Sequence, residues 1–359
     1  MKHNRRNIFT LGTALAAFSA SNENVREQAA PETERIFSSL KSRALALIIP
    51  ALALAPLAAV AQADWKPDRT VSIVVPYSPG GGTDAQARAV AQELAKLWGQ
   101  PVVVENVPGA DGLIGTKKVI AAKPDGHTLL VQINSMAVMK HIPSSKGFDP
   151  VPDLVPVSAF SQLPGVFVTT PSLPGKTLAE VVRNCKTSPQ PCSFGTTESV
   201  ARLQARQLAM ESGLNNLVVV NYKGGGQLIT DLLAGHVSMS IMGVTAALPH
   251  YKTGALKIQA TLGSKRASVT PDVPSAVEAG FPSMDTITWY GLFAPKGTPK
   301  NVVDGIALAV AKAVKGEATT KTFGSLGAEV LGTTSAVFVT IVQREVERMD
   351  AMAKRFPLE

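Results

Sequence analysis

Cysteine is nearly absent, with two residues in 359. That excludes a disulfide-dense scaffold and a four-cysteine zinc site. Histidine is scarce too: five residues, with no HExxH or HxxH pair, leave little for a catalytic metal. Aromatics make up 5%, and no basic run is interleaved with them as a nucleic-acid surface would require. Charged residues are only 17%, and the excess of +8 is partly an N-terminal effect. The first 63 residues hold seven of the 35 Lys/Arg and four of the 27 Asp/Glu, which leaves +5 beyond them. Nucleophile motifs are also missing: residues 64–359 contain no GxSxG or SxxK, and His127, His141, His236 and His250 stand isolated. The 29 Gly and 25 Pro follow no period, which excludes a collagen-like or low-complexity chain. What is present is 45% hydrophobic residues and a length that fits about two domains.

The N-terminus reads as an export leader. Lys41-Ser42-Arg43 is a short positive region, residues 44–60 are uncharged and apolar, and Ala61-Gln62-Ala63 is a small-x-small cleavage signature. Pro50 and Pro56 argue against a membrane anchor of that length. Cleavage is expected before Asp64, giving a periplasmic mature chain of residues 64–359. Residues 1–40 contain a loose twin-arginine resemblance at residues 4–9, but two export signals in tandem make little physical sense. The reading adopted is a translation start near Lys41.

Beyond the leader, strand and helix signals alternate. Val71–Val75 is a β-branched run, expected as a buried strand. The loop Tyr77-Ser78-Pro79-Gly80-Gly81-Gly82 follows, then Thr83 and Gln86 at capping-box spacing. Ala87, Val90, Ala91, Leu94, Leu97 and Trp98 fall on one helical face, Gly99 ends the helix, and Val102–Val104 begins a second strand. This is a βαβ unit. Further strands are expected at 129–131, 166–168, 217–220 and 257–262, and helices at 178–184, 201–212, 300–315 and 334–354, with one running through Leu232-Leu233. The fold class is α/β with more than one sheet and no tandem repeat.

YSPGGGTD, at 77–84, is the best chemical feature. Its glycines allow close backbone approach, and the following helix offers unpaired N–H groups and the positive end of its dipole, a device that holds an anion. GxxxxGK[ST] is missing, and a carboxylate fits as well as a phosphate; a plain chain-reversing turn is the alternative. Tyr222-Lys223-Gly224-Gly225-Gly226 repeats the device, so two such loops can face one another across a cleft. Lys223 could supply charge or be a solvated surface group. Thr196 and Thr197 follow a turn at 193–195 and could donate hydroxyls or simply cap a helix. Cys185 and Cys192 read as a small disulfide loop in an exported protein, with free thiols as the alternative.

Over nearly the whole mature chain the sequence resembles the Bug family, exported solute-binding proteins of tripartite tricarboxylate transporters. The ordered series VPYSPGGGTD (75–84), GQPVVVENVPGADGLIG (99–115), AAKPDGHTLL (121–130), NYKGGGQLITDLLAGHV (221–237) and WYGLFAPKGTPKNVVD (289–304) carries the resemblance. It implies a two-domain, type II-like periplasmic binding-protein fold with two crossover strands and a ligand cleft between domains. Expected boundaries are 64–164 with 290–359 for one domain and 165–289 for the other. It implies a small carboxylate ligand, no cofactor, no metal, no catalysis, a monomer, and either transporter membrane subunits or a sensor protein as partner. A rival from another class is an α/β enzyme using the glycine loop for a phosphorylated substrate. By resemblance the ligand-facing positions are Tyr77, Ser78, Pro79, Gly80, Gly81, Thr83 and Asp84, with Asn134 and Ser135, and Thr196, Thr197, Tyr222, Lys223 and Gly224 from the second domain. The family usually carries a longer Gly/Ser/Thr-rich segment where residues 195–204 read GTTESVARLQ, and an aspartate where Met242 stands. Those departures imply a carboxylate with a neutral or apolar far end.

Overall fold

Residues 65–197, 199–222, 225–284 and 286–358 are described by a computed structural model; the expected export leader lies outside them. The first βαβ unit forms from β1 (Val71–Val75), α1 (Gly82–Trp98) and β2 (Val102–Asn106), with Val71 opposite Val102 in a parallel ladder. Ala87, Val90, Ala91, Leu94 and Trp98 are buried along one stripe of α1. Leu97, expected on that stripe, is 41% exposed, because its position falls at the stripe's edge. The expected capping box does not form. The helix starts at Gly82, Gly81 is the N-cap without a side-chain bond, and the buried Gln86 instead accepts from the Ser161 hydroxyl.

The chain continues through α2 (Leu113–Ile120), β3 (Thr128–Ile133), β4 (Leu154–Thr169), α3 (Leu178–Thr187), β5 (Ser193–Thr196), α4 (Ser199–Ser212) and β6 (Val218–Asn221). After these come α5 (Gly225–Ala234), β7 (Met239–Gly243), α6 (Val244–Lys252), β8 (Lys257–Thr261), β9 (Ile287–Pro295), α7 (Lys300–Ala313), α8 (Glu317–Leu326), β10 (Glu329–Val330) and α9 (Ser335–Arg355). Among the described residues the strands run in the order β2-β1-β3-β9-β4-β7-β5-β6, with β8 and β10 also paired to β4. The two expected sheets are therefore joined, because β4 belongs to both. Residues 154–164 of β4 pair with β9, and residues 165–169 pair with β7 and β8.

This long strand was visible in the sequence only at Val166–Val168, since Pro156, Pro164 and Gly165 interrupt the apolar run. The structure accommodates Pro156 beside a register shift and Pro164 at the last β9 pair, places where a missing N–H costs least. One lobe thus holds β1, β2, β3 and β9, and the other holds β5 to β8.

Two apolar contacts matter for the site. Phe338 of α9 is fully buried against Trp289 and Phe293, with ring centroids at 5.2 and 4.9 Å, over the bare backbone of Gly291. Farther along, Met349, Met352 and Phe356 pack with Ala137, Val138 and Ile142 and with Val200 and Leu203 of α4. That second cluster fixes α4 against the opposite lobe. Cys185 and Cys192 are joined in a disulfide within the core of the α3 lobe, with Cα atoms 5.6 Å apart.

Candidate functional site

Loops at the carboxyl ends of the parallel strands converge with the first turns of helices on a cavity of ≈ 660 Å³. From one lobe come Pro76, Tyr77, Ser78 and Gly81–Thr83 after β1, Pro108–Gly112 after β2, and Ser135 after β3. The other contributes Thr197 and Ser199, Tyr222, Gly225, Gly243, Thr245 and Ala246, while Leu163-Pro164-Gly165 of β4 form the seam between them.

The α1 end of this cavity is built for an anion. Helix geometry leaves the N–H groups of its first turn without intrahelical acceptors, and Gly81 brings no side chain to cap them. Tyr77 stands beside it in a fixed orientation. Its hydroxyl donates to Gln132 Oε1 at 2.8 Å and lies 3.0 Å from Ser135 Oγ. Gln132 is itself held, donating to Thr116 Oγ1 at 2.9 Å and accepting from the Ile133 N–H at 3.0 Å.

Asp84 works from behind the loop and not on its wall. The carboxylate accepts from Gly80 N–H at 3.0 Å, Asn106 Nδ2 at 3.0 Å and Arg88 Nε at 3.1 Å, and Asn106 also reaches the Tyr77 carbonyl at 3.1 Å. Burial alone pushes this carboxyl up, but the bonds from Arg88, Gly80 and Asn106 and the charge of Arg88 outweigh it and hold the pKa below the ordinary value. A depressed acid contributes stability that is complete above its unfolded pKa and is lost as pH falls through the lower folded value. Asp84→Asn is therefore expected to destabilise by about 1–3 kcal/mol at pH 7. The gap to wild type should begin to narrow below about pH 4 and close as pH falls through the depressed folded value. A gap independent of pH would contradict this role.

The second lobe presents Tyr222, whose hydroxyl donates to Asp231 Oδ2 at 2.7 Å. Burial, together with that bond and the aspartate charge, pushes the phenol up to about 12, so at neutral pH it keeps its proton. The third loop holds the most unusual backbone. Gly109, Ala110, Asp111 and Gly112 all have positive φ, at 132°, 48°, 53° and 89°. For alanine and aspartate such conformations are strained, by about 1–2 kcal/mol each. Asp111 Oδ2 accepts from Ser199 Oγ of α4, across the cavity, at 3.1 Å.

Of the expected ligand-facing residues, Tyr77, Ser78, Gly81, Thr83, Ser135, Thr197 and Tyr222 line the cavity. Pro79, Gly80 and Asp84 do not; the latter two brace the loop through their mutual bond. Asn134 is buried on a ≈ 60 Å³ annex that shares Gly165, Thr197 and Thr288 with the main cavity. Thr196 belongs to strand β5, where the expected turn should have been, and its carbonyl accepts from Tyr222 N–H. Lys223 and Gly224 lie outside the described residues. Met242, taken as approaching the ligand, pairs with Val166 and packs against the core, off the cavity wall. Sequence reading passed over Asp111, Ser199, Thr245, Thr288 and Tyr290. A glycine-flanked loop after β2 could have pointed to Asp111, but nothing local marks the β9 pair. Among the described residues, no group of three His, Cys, Asp or Glu is placed to hold a metal ion, and no helix is long and apolar enough to cross a membrane.

The family model for tripartite tricarboxylate transporter family receptors matches residues 86–358. The chain belongs to this family. Protein BugT of Bordetella pertussis is 35% identical over 291 residues, 80% of this chain and 89% of its own. The periplasmic binding protein BugD is 28% identical with a TM-score of 0.72, covering 82% of this chain and 99% of its own. MatC from Rhodopseudomonas palustris, solved with bound malate, is 32% identical with a TM-score of 0.70, over 80% and 99%. The receptor therefore has the α/β, two-domain periplasmic binding-protein fold, with its cleft between domains.

Proposed function

We propose that this receptor captures a small carboxylate in the interdomain cavity and presents it to a membrane permease, without catalysis. The observation that carries the reading is the first turn of α1, a helix N-terminus of 17 residues with no side-chain cap, opening on the cavity beside Tyr77 and Ser78. A ligand carboxylate takes the N–H groups of Gly82 and Thr83, in the field of the helix dipole. Hydroxyls of Ser78 and Ser135 complete its solvation. MatC, which holds malate, supports the ligand class. The reading takes residues 64–164 with 290–359 and residues 165–289 as the two domains, and places the mature chain in the periplasm after cleavage before Asp64.

A thermal-shift screen of mono-, di- and aminocarboxylates beside nucleotides tests it. A ligand present at a hundredfold its Kd stabilises the native state by about 2.7 kcal/mol. At least one carboxylate should raise Tm by several degrees, and shifts confined to nucleotides would overturn the reading.

A further inference from the structure

We propose that Asp111 sets the charge of the ligand's far end: the cavity takes one ionised carboxylate, at α1, and rejects a second. The inference deepens the proposed function and rests on it.

Among the described residues of the cavity wall, Asp111 is the only side chain with a full charge; Lys, Arg and His are absent there. A second ligand carboxylate would find no cation among those residues and one like charge. The position of Asp111 sharpens this. Its carboxylate accepts from Ser199, the first residue of α4, and so already occupies the anion-favouring end of that helix. Val200 and Leu203, packed on the opposite lobe, keep that turn facing Asp111. Asp111 and the first turn of α1 line the same cavity, so a ligand seated at α1 lies in the field of this carboxylate. The backbone gives the same indication. At φ 53° and ψ 34° the position suits glycine, and the chain places a carboxylate there despite the strain.

The test is calorimetry on straight-chain ligands of equal length whose far ends are neutral, negative or positive, such as butanoate, succinate and 4-aminobutanoate, extended from three to eight carbons. The wild-type protein is expected to bind the neutral-ended or ammonium-ended member at least about tenfold more tightly than the dicarboxylate, as like-charge juxtaposition requires. Asp111→Asn keeps the acceptor for Ser199 and tolerates left-handed backbone; it should bring the ratio to within about threefold by strengthening dicarboxylate binding. Asp111→Gly gives a second variant with relaxed backbone should the first not fold. A wild-type preference for dicarboxylates, or a ratio unchanged in both variants, overturns the role of Asp111 and leaves carboxylate binding standing. Absence of binding across every series overturns the proposed function itself, and the inference with it.

Discussion

Gly82→Pro is expected to weaken carboxylate binding by about 10- to 100-fold while moving Tm by no more than about 2 °C. Gly82 is the first residue of α1, where proline's fixed φ suits a helix and its lost N–H has no intrahelical acceptor to lose. Gly81, the preceding residue, sits at φ −77° and ψ 169°, the extended region that a following proline demands. A Cβ at Gly82 meets nothing nearer than the Tyr290 hydroxyl at 3.9 Å, so bulk is not the issue. The substitution removes one donor from the proposed carboxylate site and little else. A hydrogen bond to a charged acceptor is worth about 1.5–3 kcal/mol, which converts to the stated range. Calorimetry with the best carboxylate checks the affinity and a melt checks the fold. Unchanged affinity would mean that the anion is held elsewhere.

Phe338→Ala should cost about 3–5 kcal/mol, the toll of emptying a fully buried aromatic site. At about 2–4 °C per kcal/mol, that is a fall in Tm of roughly 10 °C. The partner change sharpens the test. A Cβ on Gly291 would stand 2.0 Å from Phe338 Cζ, so Gly291→Ala alone should also destabilise, by about 1–3 kcal/mol. Once the ring is gone that methyl has room. The double variant is then expected to melt no lower than Phe338→Ala, and strictly additive losses would refute the packing described.

The elements legible in the sequence are those whose cause is local. Val71–Val75, the glycine loop and the α1 stripe follow from β-branching, turn chemistry and a 3.6-residue period. The length of β4 was hidden because its prolines break the pattern, while its stability comes from pairing with β9, more than a hundred residues away. The site divides in the same way. Tyr77, Ser78 and Thr83 sit in a motif. Asp111 is marked by a run of positive φ that Ala110 and Asp111 do not announce, and Ser199 by a contact across the cavity. The Met242 reading failed because the strand aims that residue into the core, leaving Gly243 on the wall.

Leu163-Pro164-Gly165 sit where β4 passes from pairing with β9 to pairing with β7, and they also line the cavity. A molecule in this cavity would therefore touch the stretch of β4 at which the two lobes are joined. The same three residues thus serve both as cavity wall and as the covalent join of the lobes.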